Sequence, residues 1–178
     1  MSLQLSEHLP RVLPSPLDQF LVITEIDDAS ALVGPLFKRK FGDPPPDFPR
    51  HLVAFYRFED GRHGLLGYSH MRPFGDVYLS GGSCTDGNVY RAMKAEHQHA
   101  LQQAGGIWFY ILKYAFERYQ DCCDAFFGHC GDPRALEVAL AAGFEQTETE
   151  HVIVNWHKQL HPVVKRALTA KVVALGPF

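Results

Sequence analysis

No Cys-x-x-Cys pair occurs in this chain, and no stretch approaches the ~18 consecutive apolar residues of a membrane-spanning helix. Lysine and arginine form no long run. Each absence excludes something. Without paired cysteines a structural zinc site has no ligand frame, so Cys84, Cys122, Cys123 and Cys130 read as reduced thiols of a cytoplasmic protein. Glu96, His97 and His99 do not share a helix face, and Pro162 directly after His161 argues against a continuous helix carrying His157 and His161, so no metal is expected. The first residues show no basic region followed by an apolar run, so no signal peptide is expected, and no membrane partner. A formal net charge of -3 without clustered basic residues predicts that nucleic acid is not a partner, because phosphate binding needs such clusters. A mildly acidic surface accommodates a cationic amine.

What is present is ordinary for one globular domain: 178 residues, 46% hydrophobic and 21% charged. Residues 1–19 carry Pro10, Pro14 and Pro16 and read as an extended lead-in. Leu21 to Ile26 reads as a strand, followed by a helix over 31–41 and a proline-rich loop to Asp47. Three meandering strands follow, over 51–58, 64–71 and 76–80, the last ending at Gly81-Gly82. Helical periodicity then runs from Asn88 to Ala104 and again from Ile107 to Tyr119, with Gly105-Gly106 between. Strands are expected at 147–151 and 152–157, and a last amphipathic helix from Pro162 to Leu175.

The segment from Ala125 to Phe144 is the most informative. Ala125 to Phe127 is a short buried strand. Asp132 can accept from the free N–H groups that open a helix, and Pro133 sits where its missing N–H costs nothing. Ala135, Leu136, Ala139 and Leu140 make one stripe, and Gly143 suits a left-handed cap.

The pattern Asp132-x-x-Ala135-x-x-x-Ala139-x-x-x-Gly143-Phe144 resembles the late motif of the GNAT superfamily of acyl-CoA N-acyltransferases, which usually runs Asn-x-x-Ala-x-x-x-Tyr-x-x-x-Gly-Phe. Asp132 replaces the Asn, and Ala139 replaces the Tyr. Gln102-Gln103-Ala104-Gly105-Gly106-Ile107 resembles the family's other motif, Arg/Gln-x-x-Gly-x-Gly/Ala, with Ile107 at its last position. The resemblance covers roughly residues 20–157. It implies an α/β (α+β) single-domain fold. The central sheet is mixed and mostly antiparallel, with about six or seven strands splayed between the fourth and fifth and helices on both faces. Around the domain at 20–157 stand the lead-in, 1–19, and a C-terminal helical extension, 158–178; residues 83–104 read as a helical insertion.

The resemblance further implies transfer of an acetyl or other acyl group from a CoA thioester to a primary amine by direct attack. Acetyl-CoA or another acyl-CoA is then the co-substrate, a small-molecule or peptide amine the acceptor, and the protein a monomer or homodimer. Small residues let backbone approach a diphosphate, and a helix start offers free N–H groups and positive dipole. On that basis Gln102, Gln103, Ala104, Gly105, Gly106, Ile107 and Asp132 are candidate cofactor-binding residues. Leu79, Ser80 and Gly81 are candidates for backbone pairing with the pantetheine arm. Gly105-Gly106 also reads simply as a break between two helices, and Ser80 to Ser83 as a rival anion loop. With Ala139 at the Tyr position, Tyr78 or His129 is the candidate catalytic group. Two other readings stand beside transfer: a GNAT-fold binding module without catalysis, and a hydrolase using Cys84 as nucleophile.

Overall fold

The computed structural model describes residues 9–47 and 50–178; the part of the expected lead-in that covers residues 1–8 lies outside them. Seven strands form one sheet in the order β1-β2-β3-β4-β5-β7-β6. They are β1 (Leu21–Ile26), β2 (Arg50–Arg57), β3 (His63–Phe74), β4 (Val77–Thr85), β5 (Ala125–His129), β6 (Glu145–Gln146) and β7 (Val152–Asn155). Every neighbouring pair is antiparallel except β4 and β5, which run parallel. This is the mixed sheet that the resemblance implies.

Strand alternation sends successive side chains to opposite faces, and helices cover both. Tyr78 and Phe126 point to one face, where α4 (Ile107–Tyr119) and α5 (Pro133–Ala142) bury them with Ile111, Phe116 and Phe144. Val77, Leu79, Ala125 and Phe127 point to the other, under Leu168 and Val172 of α6 (Pro162–Val173). On that same face α1 (Ser30–Phe41) packs Val33 and Phe37 against Val53 and Tyr68. The C-terminal helix thus adds Leu168 and Val172 to the core.

The capping devices of the 125–144 segment are those expected. Asp132 Oδ1 accepts from the Ala135 N–H at 2.8 Å, Pro133 opens α5, and Gly143 closes it at φ 119°. Three expected elements differ. The helix expected from Asn88 to Ala104 is two, α2 (Gly87–Ala92) and α3 (Ala95–Gln103), because Met93 and Lys94 are extended, with ψ 154° and 141°. Met93 is buried there, Gln98 Nε2 donates to its carbonyl at 2.9 Å, and Lys94 pairs with Glu59. These contacts outweigh helix continuity. Thr147 to His151 is a turn rather than a strand: the Thr147 hydroxyl donates to Val152 O at 3.0 Å and accepts from Thr149 N–H at 3.1 Å. The fourth strand does not end at Gly81-Gly82 but continues to Thr85.

Candidate active site

β4 and β5 pair only from Val77 opposite Ala125 to Ser80 opposite Gly128. Beyond that point β4 stays with β3, while β5 continues beside β7 to His129. The two strands open into a wedge-shaped cleft of about 280 Å³. Ser80, Gly81, Gly82 and Ser83 line one side; Gly128, His129, Cys130 and Gly131 line the other. Trp108, Ala135 and Phe144 bound it on the α4–α5 side, and Phe41 of α1 bounds it on the opposite side. The opening therefore reaches from one sheet face to the other.

A β-bulge shapes its β4 wall. Tyr68 pairs with Cys84, but His70 pairs with Gly81, so Ser69 alone faces Gly82 and Ser83. The Ser69 and Ser83 hydroxyls bond at 2.7 Å. Gly82 takes φ 54°, and a Cβ there would lie 2.5 Å from His70 Cε1 and 2.9 Å from Phe37 Cε2. Only glycine fits this turn of the strand. The segment weighed as a rival anion loop is thus bulged strand.

A second cavity, of about 380 Å³, lies at the start of α4. Thr85, Tyr90, Leu101, Gln102, Gly105, Gly106 and Ile107 line it. Trp108 borders both cavities, so they adjoin along the first turn of α4. The α2–α3 segment supplies a wall of this second cavity through Tyr90, Leu101 and Gln102. Gly105 and Gly106 have φ 99° and 85°, but their N–H groups close α3 by donating to Gln102 O at 3.3 Å and Leu101 O at 2.9 Å. Neither amide is left to cradle an anion. α4 itself has no side-chain cap, so the N–H groups of its opening turn border the cavity beside Ile107 and Trp108.

The structure brings Ser80, Gly81, His129 and Asp132 to the cleft, and Gln102, Gly105, Gly106 and Ile107 to the second cavity. It keeps four expected residues away. Tyr78 is buried, stacked on Tyr119 with ring centres 5.2 Å apart. Burial raises its pKa, so it is core rather than a proton donor in the cleft. Leu79 is packed under α6 and paired on both sides, to Arg72 and Phe127, leaving no backbone edge for a ligand. Ala104 packs against the core, and Gln103 is exposed outside the cavity lining. Asp132 borders the cleft with one carboxylate oxygen already engaged as the α5 cap.

Cys84 makes a poor nucleophile. Burial, foremost, pushes its thiol up to about 11, and it packs with Ala29, Val33 and Phe37. His97 is committed elsewhere: it bonds Tyr56 Oη at 2.8 Å and stacks on Phe20.

Ala139 is fully buried among α4 and α5 side chains. There is no room for the family's Tyr in this packing. Ala139→Tyr is expected to lose about 1–3 kcal/mol of stability by overpacking, measured by urea denaturation, and to add no catalytic proton donor.

Sequence reading missed His51, Tyr68 and His70. The Tyr68 hydroxyl lies 2.8 Å from His51 Nδ1 and 3.4 Å from His70 Nδ1. Their strand positions were legible, but their convergence depends on the β2–β3 register and the bulge. Gly81-Gly82 was the available signal, since two glycines in a strand mark a close approach. Trp108 was also missed; its indole N–H is buried without a hydrogen-bond partner between the two cavities. Among the described residues no group of three or more His, Cys, Asp or Glu is placed to hold a metal, and no helix is long and apolar enough to cross a membrane.

No family model matches the sequence, and no curated protein matches it. Several solved structures overlap it in part. The ribosomal-protein-S18-alanine N-acetyltransferase from Escherichia coli is 7% identical, covering 80% of this chain and 97% of its own at a TM-score of 0.47. A KacTA–DNA complex is 16% identical over 84% of this chain and 99% of its own, at 0.47. AtaT complexed with acetyl-methionyl-tRNAfMet is 13% identical over 84% and 98%, at 0.39.

One expectation is corrected by these comparisons. Two of the overlapping structures were solved with DNA or tRNA, against the expectation that nucleic acid is not a partner. A charge sum says nothing of its distribution. Lys38, Arg39 and Lys40 end α1 together, and the basic residues of α6, Lys165, Arg166 and Lys171, stand in a helix without an acidic residue.

Proposed function

We propose that this chain is a divergent GNAT-type acyltransferase that moves an acyl group, acetyl in the simplest case, from a CoA thioester to a primary amine. The observation that carries this reading is the parting of β4 and β5 after Ser80 and Gly128, next to an uncapped helix start. A diphosphate fits at the opening N–H groups of α4, where backbone donors and helix dipole favour an anion without lysine. The pantetheine arm then passes Trp108, which borders both cavities, and enters the cleft. Its amides pair with β4 backbone from Gly81 to Ser83, the stretch beyond Ser80 that β5 leaves uncovered.

In the transfer step a neutral amine nitrogen attacks the thioester carbonyl carbon. The C–N bond forms, the C–S bond breaks, and the thiolate takes a proton. His129, at the open end of β5, is the side chain in the cleft suited to give that proton. The binding-module reading keeps one observation in its favour, the buried Ala139 in place of the usual donor.

Calorimetry with acetyl-CoA and with CoA is the test. Binding is expected, and Gly106→Glu is expected to weaken it more than tenfold, because a carboxylate at φ 85° repels the diphosphate and strains the turn by about 1–3 kcal/mol. No heat with either ligand at millimolar concentration overturns the reading. Binding without thiol release across a panel of primary amines moves it to the binding module.

A further inference from the structure

His51, Tyr68 and His70 form a polar chain beneath α1 that ends at the glycines of the cleft. His51 and Tyr68 are buried, and Tyr68 stands between the two imidazoles. His70 leans across β4: a Cβ on Gly81 would lie 2.9 Å from its Nε2, and one on Gly82 would lie 2.7 Å from its Nδ1. Both glycines line the cleft. The ring thus occupies the space their missing side chains leave, on the face where Phe41 bounds the opening.

We propose that His70 receives the proton released by the attacking amine, with Tyr68 and His51 as positioning residues that orient its ring and carry the charge away from the cleft. The inference rests on the acyl-transfer reading and deepens it.

Tyr68 has one hydroxyl proton and can donate to only one neighbour. Donation along the shorter contact goes to His51 Nδ1, and His70 Nδ1–H then donates to the Tyr68 oxygen. That arrangement leaves His70 Nε2 unprotonated and turned toward Gly81. Burial keeps the ring neutral, pushing its pKa down to about 4. So weak a base suffices here. The nitrogen that has just attacked a carbonyl is positively charged and far more acidic than a free ammonium. Its proton passes to His70 Nε2 as the C–N bond is secured. The Nδ1 proton moves to Tyr68, and the Tyr68 proton moves to His51 Nδ1. Burial disfavours the positive charge on His51 and Asp28 offsets only part of that, so the charge does not rest there but leaves with the proton. The count closes when the departing thiolate gains a proton and His51 returns one to solvent.

Few other charges act on His70. Tyr68 and His51 face it from β3 and β2, α1 presents Phe37, and the β4 positions beneath it are glycines. Lys40 and Arg39 of α1 act on Cys84.

Thiol release from acetyl-CoA with a panel of primary amines, together with ring NMR of the full chain, tests the proposal. His70→Asn is expected to lower kcat about 100-fold with the KM for acetyl-CoA unchanged, and Tyr68→Phe about tenfold. In the wild type the His70 ring is expected as the Nδ1–H tautomer at neutral pH, its signals moving when acetyl-CoA is added. Because the NMR readout uses the wild type, it holds even where a variant fails to fold. A wild-type rate in His70→Asn, the opposite tautomer, or His70 signals unmoved by bound acetyl-CoA overturns the proposal. Absence of acetyl-CoA binding instead overturns the acyl-transfer reading beneath it.

Discussion

Gly82→Val is expected to abolish acetyl-CoA binding and to lose about 2–6 kcal/mol of stability, the sum of left-handed backbone strain and overpacking. The side chain enters space already held by His70 and Phe37, and a β-branched residue resists φ 54°. Relief requires the bulge to straighten. That shifts Ser83 out of register with Ser69, and with it the stretch of β4 that borders the cleft. Urea denaturation and calorimetry measure the two effects separately. Gly82→Ala is expected to show the same changes at smaller size, since it adds one carbon at the same backbone angle. A Gly82→Val protein with wild-type midpoint and affinity would mean that the bulge does not shape the site.

Phe126→Ala is expected to cost about 3–5 kcal/mol. Phe126 is completely buried, with its ring 4.9 Å from Phe116, 6.2 Å from Tyr78 and 5.0 Å from the His157 ring. It also sits in the four-pair ladder that joins β4 to β5, opposite Tyr78. The loss is therefore expected to fall unevenly: amide exchange should accelerate first along β5 and the paired part of β4. A uniform rise in exchange across the sheet would contradict that placement.

Local chemistry made much of the fold legible. Asp132, Pro133 and Gly143 each act within a few residues of themselves, so the limits of α5 followed from sequence alone. The short apolar runs around Tyr78 and Phe126 likewise revealed strands, though not which face each residue meets. The α2–α3 break was hidden because Met93 and Lys94 carry no breaker signal; their extended conformation is held by the distant Tyr56 and Glu59. The site was legible as a pair of glycine-marked places rather than as a geometry. Gly105-Gly106 marked the second cavity, but their amides are spent on α3, a fact set by hydrogen bonds that composition does not reveal. Tyr78 looked available because its strand was right. Its partner Tyr119, from another element, took it into the core. His70 stayed hidden because its neighbours come from three strands and a helix.

The parallel joint between β4 and β5 also has a mechanical meaning. The strands up to Thr85 build one antiparallel plate and those from Ala125 another, and within the sheet four residue pairs join the two, with helices packed across the joint on both faces. Under a force applied at the chain ends this seam is the weak line. A molecule lodged in the cleft spans it like a rivet, so occupancy should raise the rupture force along that line more than it raises the melting temperature.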